Sequence, residues 1–113
     1  MKLAIVGTRK MTDYLKFCDV VMPVMQGVTC IVSGGAKGVD SLAKQFALQK
    51  NIPFLEFVPE YEKYGKNATF VRNSLIVEAA DRILALPSPD SKGTYDTIRK
   101  AIKAKKLLNV LGV

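Results

Sequence analysis

A chain of 113 residues with 17 Lys plus Arg against 10 Asp plus Glu carries a formal charge of +7, and it contains no histidine. Its size excludes separate cofactor and substrate lobes, its 49% hydrophobic content excludes disorder, and the absence of histidine excludes Ser-His-Asp and Cys-His catalysis and His-based metal sites. The surplus positive charge favours anionic partners such as nucleotides or nucleic acid, and it equally serves plain solubility.

Taken in chain order, the first apolar run, Leu3 to Val6, reads as a buried strand. A helix is expected over 12–25, opened by Thr12-Asp13 and kinked or closed by Pro23. Cys30 to Val32 gives a second strand, and Val39, Leu42, Ala43, Phe46 and Ala47 mark one face of a second helix. Pro53 to Val58 reads as a third strand. A third helix is expected over about 67–80, with Val71, Leu75 and Ala79 apolar, and Ile83 to Leu86 as the fourth strand. A fourth helix starts near Gly93-Thr94 and buries Ile98, Ala101 and Ile102, before a last strand over 107–113. No apolar run approaches the ~20 residues a membrane span needs, so a cytoplasmic protein without a signal peptide is expected. Cys18 and Cys30 read as free, buried thiols in a reducing compartment.

Strict alternation of strands and helices calls for a single α/β domain over residues 1–113: a Rossmann-like, doubly wound, mainly parallel five-stranded sheet with helices on both faces. Right-handed crossovers favour the strand order 3-2-1-4-5. In such a sheet ligands bind beyond the carboxyl ends of the strands, near the switch point between the first and fourth strands.

The loops at that edge carry the chemistry. Gly7-Thr8-Arg9 after the first strand offers close backbone approach, a hydroxyl and a planar cation. Ser33-Gly34-Gly35-Ala36-Lys37-Gly38-Val39-Asp40-Ser41 joins a strand to a helix with little side-chain bulk, a composition that suits a phosphate cradle at a helix N-terminus. It is neither the dinucleotide fingerprint nor the P-loop. Asp40 reads either as a helix-start residue or as a hydrogen-bond acceptor for a ribose hydroxyl or a base. The loop over 60–67 holds Tyr61 and Tyr64, which offer stacking to a base or are plain surface tyrosines. Arg72-Asn73 lies on the third helix, where Arg72 either snorkels or points at an anion. Pro87-Ser88 leaves the fourth strand, and Gly93-Thr94 opens another helix, so two helix N-termini face each other across the cleft.

The combination of Ile5-Val6-Gly7-Thr8-Arg9, the Ser33 to Ala43 loop and helix, Arg72-Asn73, Ala80-Asp81 and Gly93-Thr94 resembles the SLOG superfamily. That group takes in the DNA-processing protein A (Smf) domain, the LOG-type phosphoribohydrolases and small YpsA-type relatives from phages and bacteria. The resemblance implies a nucleotide-binding domain, often homo-oligomeric, with its ligand between these loops and with no metal or other cofactor expected. LOG enzymes cleave the N-glycosidic bond of nucleoside monophosphates, and Arg72 falls on the arginine of their helix. Thr97 stands where their catalytic glutamate is expected, which leaves Asp40 or Asp96 as the stand-in carboxylate. The first expectation is therefore a sensor or sequestering module for a nucleotide or an ADP-ribose-like ligand. Its proposed contacts are Gly7, Thr8, Arg9, Ser33, Gly34, Gly35, Ala36, Gly38, Asp40, Arg72, Asn73, Pro87, Ser88, Gly93 and Thr94. The alternatives are a LOG-type phosphoribohydrolase using Arg72, Asp40 and Asp96, and single-stranded DNA binding as in the DNA-processing branch.

Overall fold

Apolar residues alternate side to side along the central strands, and this period of two lets one sheet bury both faces. The computed structural model describes all of residues 1–113. Its strands are β1 (Lys2–Gly7), β2 (Cys30–Ser33), β3 (Phe54–Glu56), β4 (Arg82–Leu86) and β5 (Leu107–Val110). They form one all-parallel sheet in the order β3-β2-β1-β4-β5. The helices are α1 (Tyr14–Val21), α2 (Val39–Gln49), α3 (Tyr61–Tyr64), α4 (Ala68–Ala79) and α5 (Lys92–Lys103), with short 3₁₀ turns at Met22–Val24 and Gly65–Asn67.

Leu3 and Ile5 of β1 point to one face, where Leu84 and Leu86 join Phe17 and Val21 of α1 and Phe46 of α2. Phe17 and Phe46 meet edge to face with centroids 6.0 Å apart, a favoured aromatic arrangement. Ala4 and Val6 point to the other face, packing with Ile83 and Ala85 beneath Ile76 and Val77 of α4 and Ile98 and Ala101 of α5. The smaller side chains of this second layer suit two helices lying close to the strands.

Local chemistry sets the element ends. Asp13 caps α1 through the Lys16 N–H at 3.1 Å, and Pro23 sits in the 3₁₀ turn that follows it. Asn51 and Lys105 adopt φ of 55° and 59° just past α2 and α5, the left-handed residue that closes a helix. β3 is shorter than the 53–58 expected, although Pro53 O and Phe57 N extend its hydrogen bonding to β2. β5 likewise stops at Val110, while the Leu111 and Val113 N–H groups still donate to Ala85 and Pro87.

Three expectations need correction. The stretch 60–67 is not a loop but α3 plus a 3₁₀ turn. On α4 the buried positions are Ala68, Arg72, Asn73, Ile76 and Val77, whereas Leu75 is exposed, because two polar residues occupy the inward face. Ile102 is 58% exposed, since α5 meets the sheet through Ile98 and Ala101. Cys18 and Cys30 are free, and both are half-buried. No helix is long and apolar enough to cross a membrane.

Candidate functional site

The carboxyl ends of β1 and β4 open into a cleft of about 410 Å³, walled by the loop after β1, the start of α2, one face of α4 and the start of α5. Adjacent strands whose chains depart to opposite faces leave such a gap.

At the first wall, Thr8 is pinned rather than free. Its N–H donates to Leu86 O at 3.0 Å, and its Oγ1 accepts from the Lys10 N–H at 3.1 Å and lies 2.8 Å from Ser88 Oγ. Ser88 also lies 2.7 Å from Asp90 Oδ1, and Lys10 Nζ pairs with Asp90 Oδ2 at 2.6 Å. These contacts tie the loop after β1 to the loop after β4. Asp90 is held down to about 2 by Lys10 and the Ser88 hydroxyl. Arg9, by contrast, lines the cleft with its side chain exposed and makes no ion pair.

The glycine loop is closed mainly on itself. A Cβ at Gly7 would strike Leu86 O, one at Gly34 would sit 2.5 Å from Arg72 Nη1, and one at Gly35 would sit 2.5 Å from Glu56 Oε1. Gly38 caps α2 at φ 75°, with its α-carbon against the Thr8-Arg9 backbone. The Val39 N–H donates to Thr8 O at 3.0 Å, Ser41 Oγ donates to Ala36 O at 2.9 Å, and the Ala36 N–H donates to Asp40 Oδ2 at 3.1 Å. Ser33 Oγ gives its proton to Ile5 O at 2.7 Å. Of this loop only Ala36 and Asp40 line the cleft.

Arg72 spans the floor. Nη1 donates to Gly34 O at 2.6 Å and Nε donates to Asn73 Oδ1 at 2.9 Å. Asn73 Nδ2 continues the chain to Gly93 O at 3.2 Å and Asp96 Oδ2 at 3.1 Å, so these two residues brace the glycine loop against α5. Arg72 lines the cleft, and its Nη2 makes no hydrogen bond to the protein. Burial pulls the Arg72 guanidinium below its ordinary value, with Asp40 opposing. Burial pushes Asp40 up, against the Ala36 N–H and the Arg72 charge.

The open donors lie at α5. Ser91 Oγ bonds the Ser88 N–H at 3.0 Å instead of capping the helix, and no acid stands in the first turn. The Gly93 and Thr94 N–H groups have no protein partner, and a Cβ at Gly93 would meet nothing. Lys92 opens the helix, a position where the dipole disfavours a cation unless an anion joins it.

Among the expected contacts, Gly7, Thr8, Arg9, Ala36, Asp40, Arg72, Asn73, Gly93 and Thr94 come together around the cleft. Ser33, Gly34, Gly35, Gly38, Pro87 and Ser88 do not line it, being committed to backbone packing or to bonds between loops. Asp96 faces α4, taking Lys100 Nζ at 2.8 Å and Asn73, and Thr97 donates to Gly93 O at 3.2 Å while lining the cleft. Lys10, Thr69, Ile76, Asp90, Ser91 and Lys92 also line it, beyond the contacts expected from sequence. The spacing of Thr69 and Ile76 around Arg72-Asn73 is the signal that places these α4 positions on one helical face. Tyr61 is 58% exposed and outside the cleft. No cluster of three or more Cys, Asp or Glu is placed to hold a metal ion.

The model of the family described as DNA recombination-mediator protein A matches residues 1–60, just over half of this chain. A comparison with curated proteins gives no match. Among solved structures, a study of the single-stranded DNA binding mode of DNA processing protein A from Helicobacter pylori supplies a similar chain, with TM-score 0.75 and 24% identity over 97% of the present chain. The present chain covers 64% of that one, less than two thirds of its length, and the likeness is one of fold.

Proposed function

The chain belongs to the DNA recombination-mediator protein A family, and from that premise we propose that it binds single-stranded DNA, seating one nucleotide unit with its phosphate in the cleft. The observation that carries this reading is the pair of unpartnered N–H groups at Gly93 and Thr94 beside Lys92, facing Arg9 and the open edge of Arg72. Backbone donors at a helix start hold a phosphate, and the cations add attraction that does not depend on sequence. The similar structure's protein binds single-stranded DNA, which agrees with this choice. A free nucleotide or ADP-ribose-like ligand is the second reading, supported by the cleft's volume of about 410 Å³, which falls in the range of small-molecule sites. Glycoside cleavage has the least support, because Asp96 is turned to α4 and Thr97 supplies no carboxylate, which leaves Asp40 as the one expected stand-in that lines the cleft.

The test is fluorescence anisotropy with oligothymidylates of roughly 4 to 16 nucleotides, titrated against thymidine monophosphate and ADP-ribose at several salt concentrations. An affinity that grows with length, and whose logarithm falls linearly with the logarithm of salt concentration, is expected. A mononucleotide or ADP-ribose binding more tightly than every oligonucleotide overturns the DNA reading in favour of the sensor.

A further inference from the structure

The cleft is a basin of donors lined by two carboxylates, the exposed Asp90, paired with Lys10, and the buried Asp40. Asp40 is only 6% exposed, and its Oδ2 is taken by the Ala36 N–H. No hydrogen bond is made to Oδ1, although the Gly34 N–H, like that of Ala36, lies close enough to favour the charged carboxylate. The nearby Ser33 hydroxyl has given its proton to Ile5 O, and the Arg72 N–H groups that bond protein atoms go to Gly34 and Asn73. Asp40 lines the cleft, and Oδ1 is its oxygen without a hydrogen-bonded protein partner. A carboxylate set among Arg9, Arg72 and orphan N–H groups repels a bare phosphate placed against it. It rewards a ligand that brings a hydrogen-bond donor to the same place.

We propose that Asp40 Oδ1 is a donor-reading subsite: the cleft selects a phosphate-bearing nucleotide unit that also presents an O–H or N–H to its floor. The proposal rests on the nucleotide-unit reading above and adds the chemistry that accompanies the phosphate. Two groups of a nucleotide share that chemistry, a sugar hydroxyl and a base N–H. Inorganic phosphate lacks an attached group that reaches the floor, and an internal deoxyribose in a strand lacks the hydroxyl.

The experiment compares inorganic phosphate, 2-deoxyribose 5-phosphate, ribose 5-phosphate, thymidine 5′-monophosphate, its N3-methyl derivative and its 3′-O-methyl derivative by calorimetry on the whole chain. Unmodified thymidine monophosphate is expected to bind the wild-type protein about tenfold more tightly than the derivative that blocks the donor being read, a difference of about 1.4 kcal/mol. Loss on N3-methylation assigns the base, and loss on 3′-O-methylation assigns the sugar. Asp40→Asn keeps an oxygen for the Ala36 N–H while its amide replaces the open acceptor with a donor. This variant should lose the tenfold preference and bind inorganic phosphate as well as or better than wild type, with a cooperative thermal transition confirming that it folds.

Equal affinity of wild type for the methylated and unmethylated nucleotides overturns the proposal without any variant. So does an unchanged preference in folded Asp40→Asn. If oligonucleotides and phosphate bind while the donor has no effect, only this inference fails. If no phosphate-bearing ligand binds at all, the functional reading fails with it.

Discussion

Replacing Arg72 by methionine tests whether the guanidinium is a strut as well as a ligand contact. The change deletes two charge-assisted hydrogen bonds, to Gly34 O and Asn73 Oδ1, and takes the counter-charge from the buried Asp40. Two such bonds are worth about 1.5 kcal/mol each at the low end, and stranding a buried partner brings typical losses to about 3–5 kcal/mol. For a domain of this size that is a fall in Tm of roughly 12–20 °C, at about 4 °C per kcal/mol. In an Asp40→Asn background no charge is stranded, so the same change should cost less by about 1–2 kcal/mol. Urea denaturation of wild type, both single variants and the double variant yields that coupling directly. Additivity within about 0.5 kcal/mol would mean that Arg72 does not neutralise Asp40, and the two residues could no longer be treated as one charge-balanced unit in the cleft floor.

Two glycines at helix starts, Gly38 packed behind the cleft and Gly93 lining it, should behave oppositely. Gly38→Ala forces a Cβ into the Thr8-Arg9 backbone at φ 75° and should cost about 3 kcal/mol or more, whereas Gly93→Ala enters open space and should be neutral or gain up to about 1 kcal/mol, as read by thermal melts. Lys105→Gly relieves a left-handed residue at the end of α5 and should stabilise by up to about 1 kcal/mol in urea titrations. Acid titration should separate the carboxylates. Asp90 and Asp81, both lowered, the first to about 2 by Lys10 and the second by the Lys2 N–H, contribute stability above the ordinary carboxylate range that fades as pH falls through their lowered values. Asp40, raised by burial, contributes fully below that range and loses its contribution as pH rises through its own value, so Asp40→Asn should gain on wild type from about pH 4 towards neutrality. Arg9→Ala and Lys92→Ala should each weaken oligonucleotide binding across all sequences and reduce the salt slope by about one, measured by anisotropy.

The sheet order was readable because each step follows from a local pattern. Leu3-Ala4-Ile5-Val6 is apolar on both faces, the mark of a central parallel strand, and the chain returns through a helix every time. What escaped was decided by tertiary contact. Tyr61–Tyr64 is too short to show a period, and Arg72 and Asn73 point inward, which blurs the apolar stripe of α4 and suggests the wrong face. The glycines show a further limit. Gly34, Gly35 and Gly38 look like a cradle by composition, yet each is needed because side chains or backbone of this protein press on its α-carbon. Gly93, in a less conspicuous stretch, leaves its surroundings open. Composition reports that bulk is missing but not what fills the space. Asp40 was legible only as a pair of alternatives, because whether its carboxylate turns to the loop or the cleft depends on where Ala36 and Ser33 send their protons.

The cleft draws on four stretches that lie far apart in the chain, 6–10, 36–40, 69–76 and 90–97. No contiguous fragment carries it, and a chain emerging from the ribosome holds no complete site until the first turns of α5 have been made. Recognition of an anion is thus tied to completion of the sheet, because β4 must dock beside β1 before the Thr8–Ser88 contact exists. Ligand added during refolding should accordingly leave the earliest collapse unaltered and act on the final docking step, by slowing its reversal.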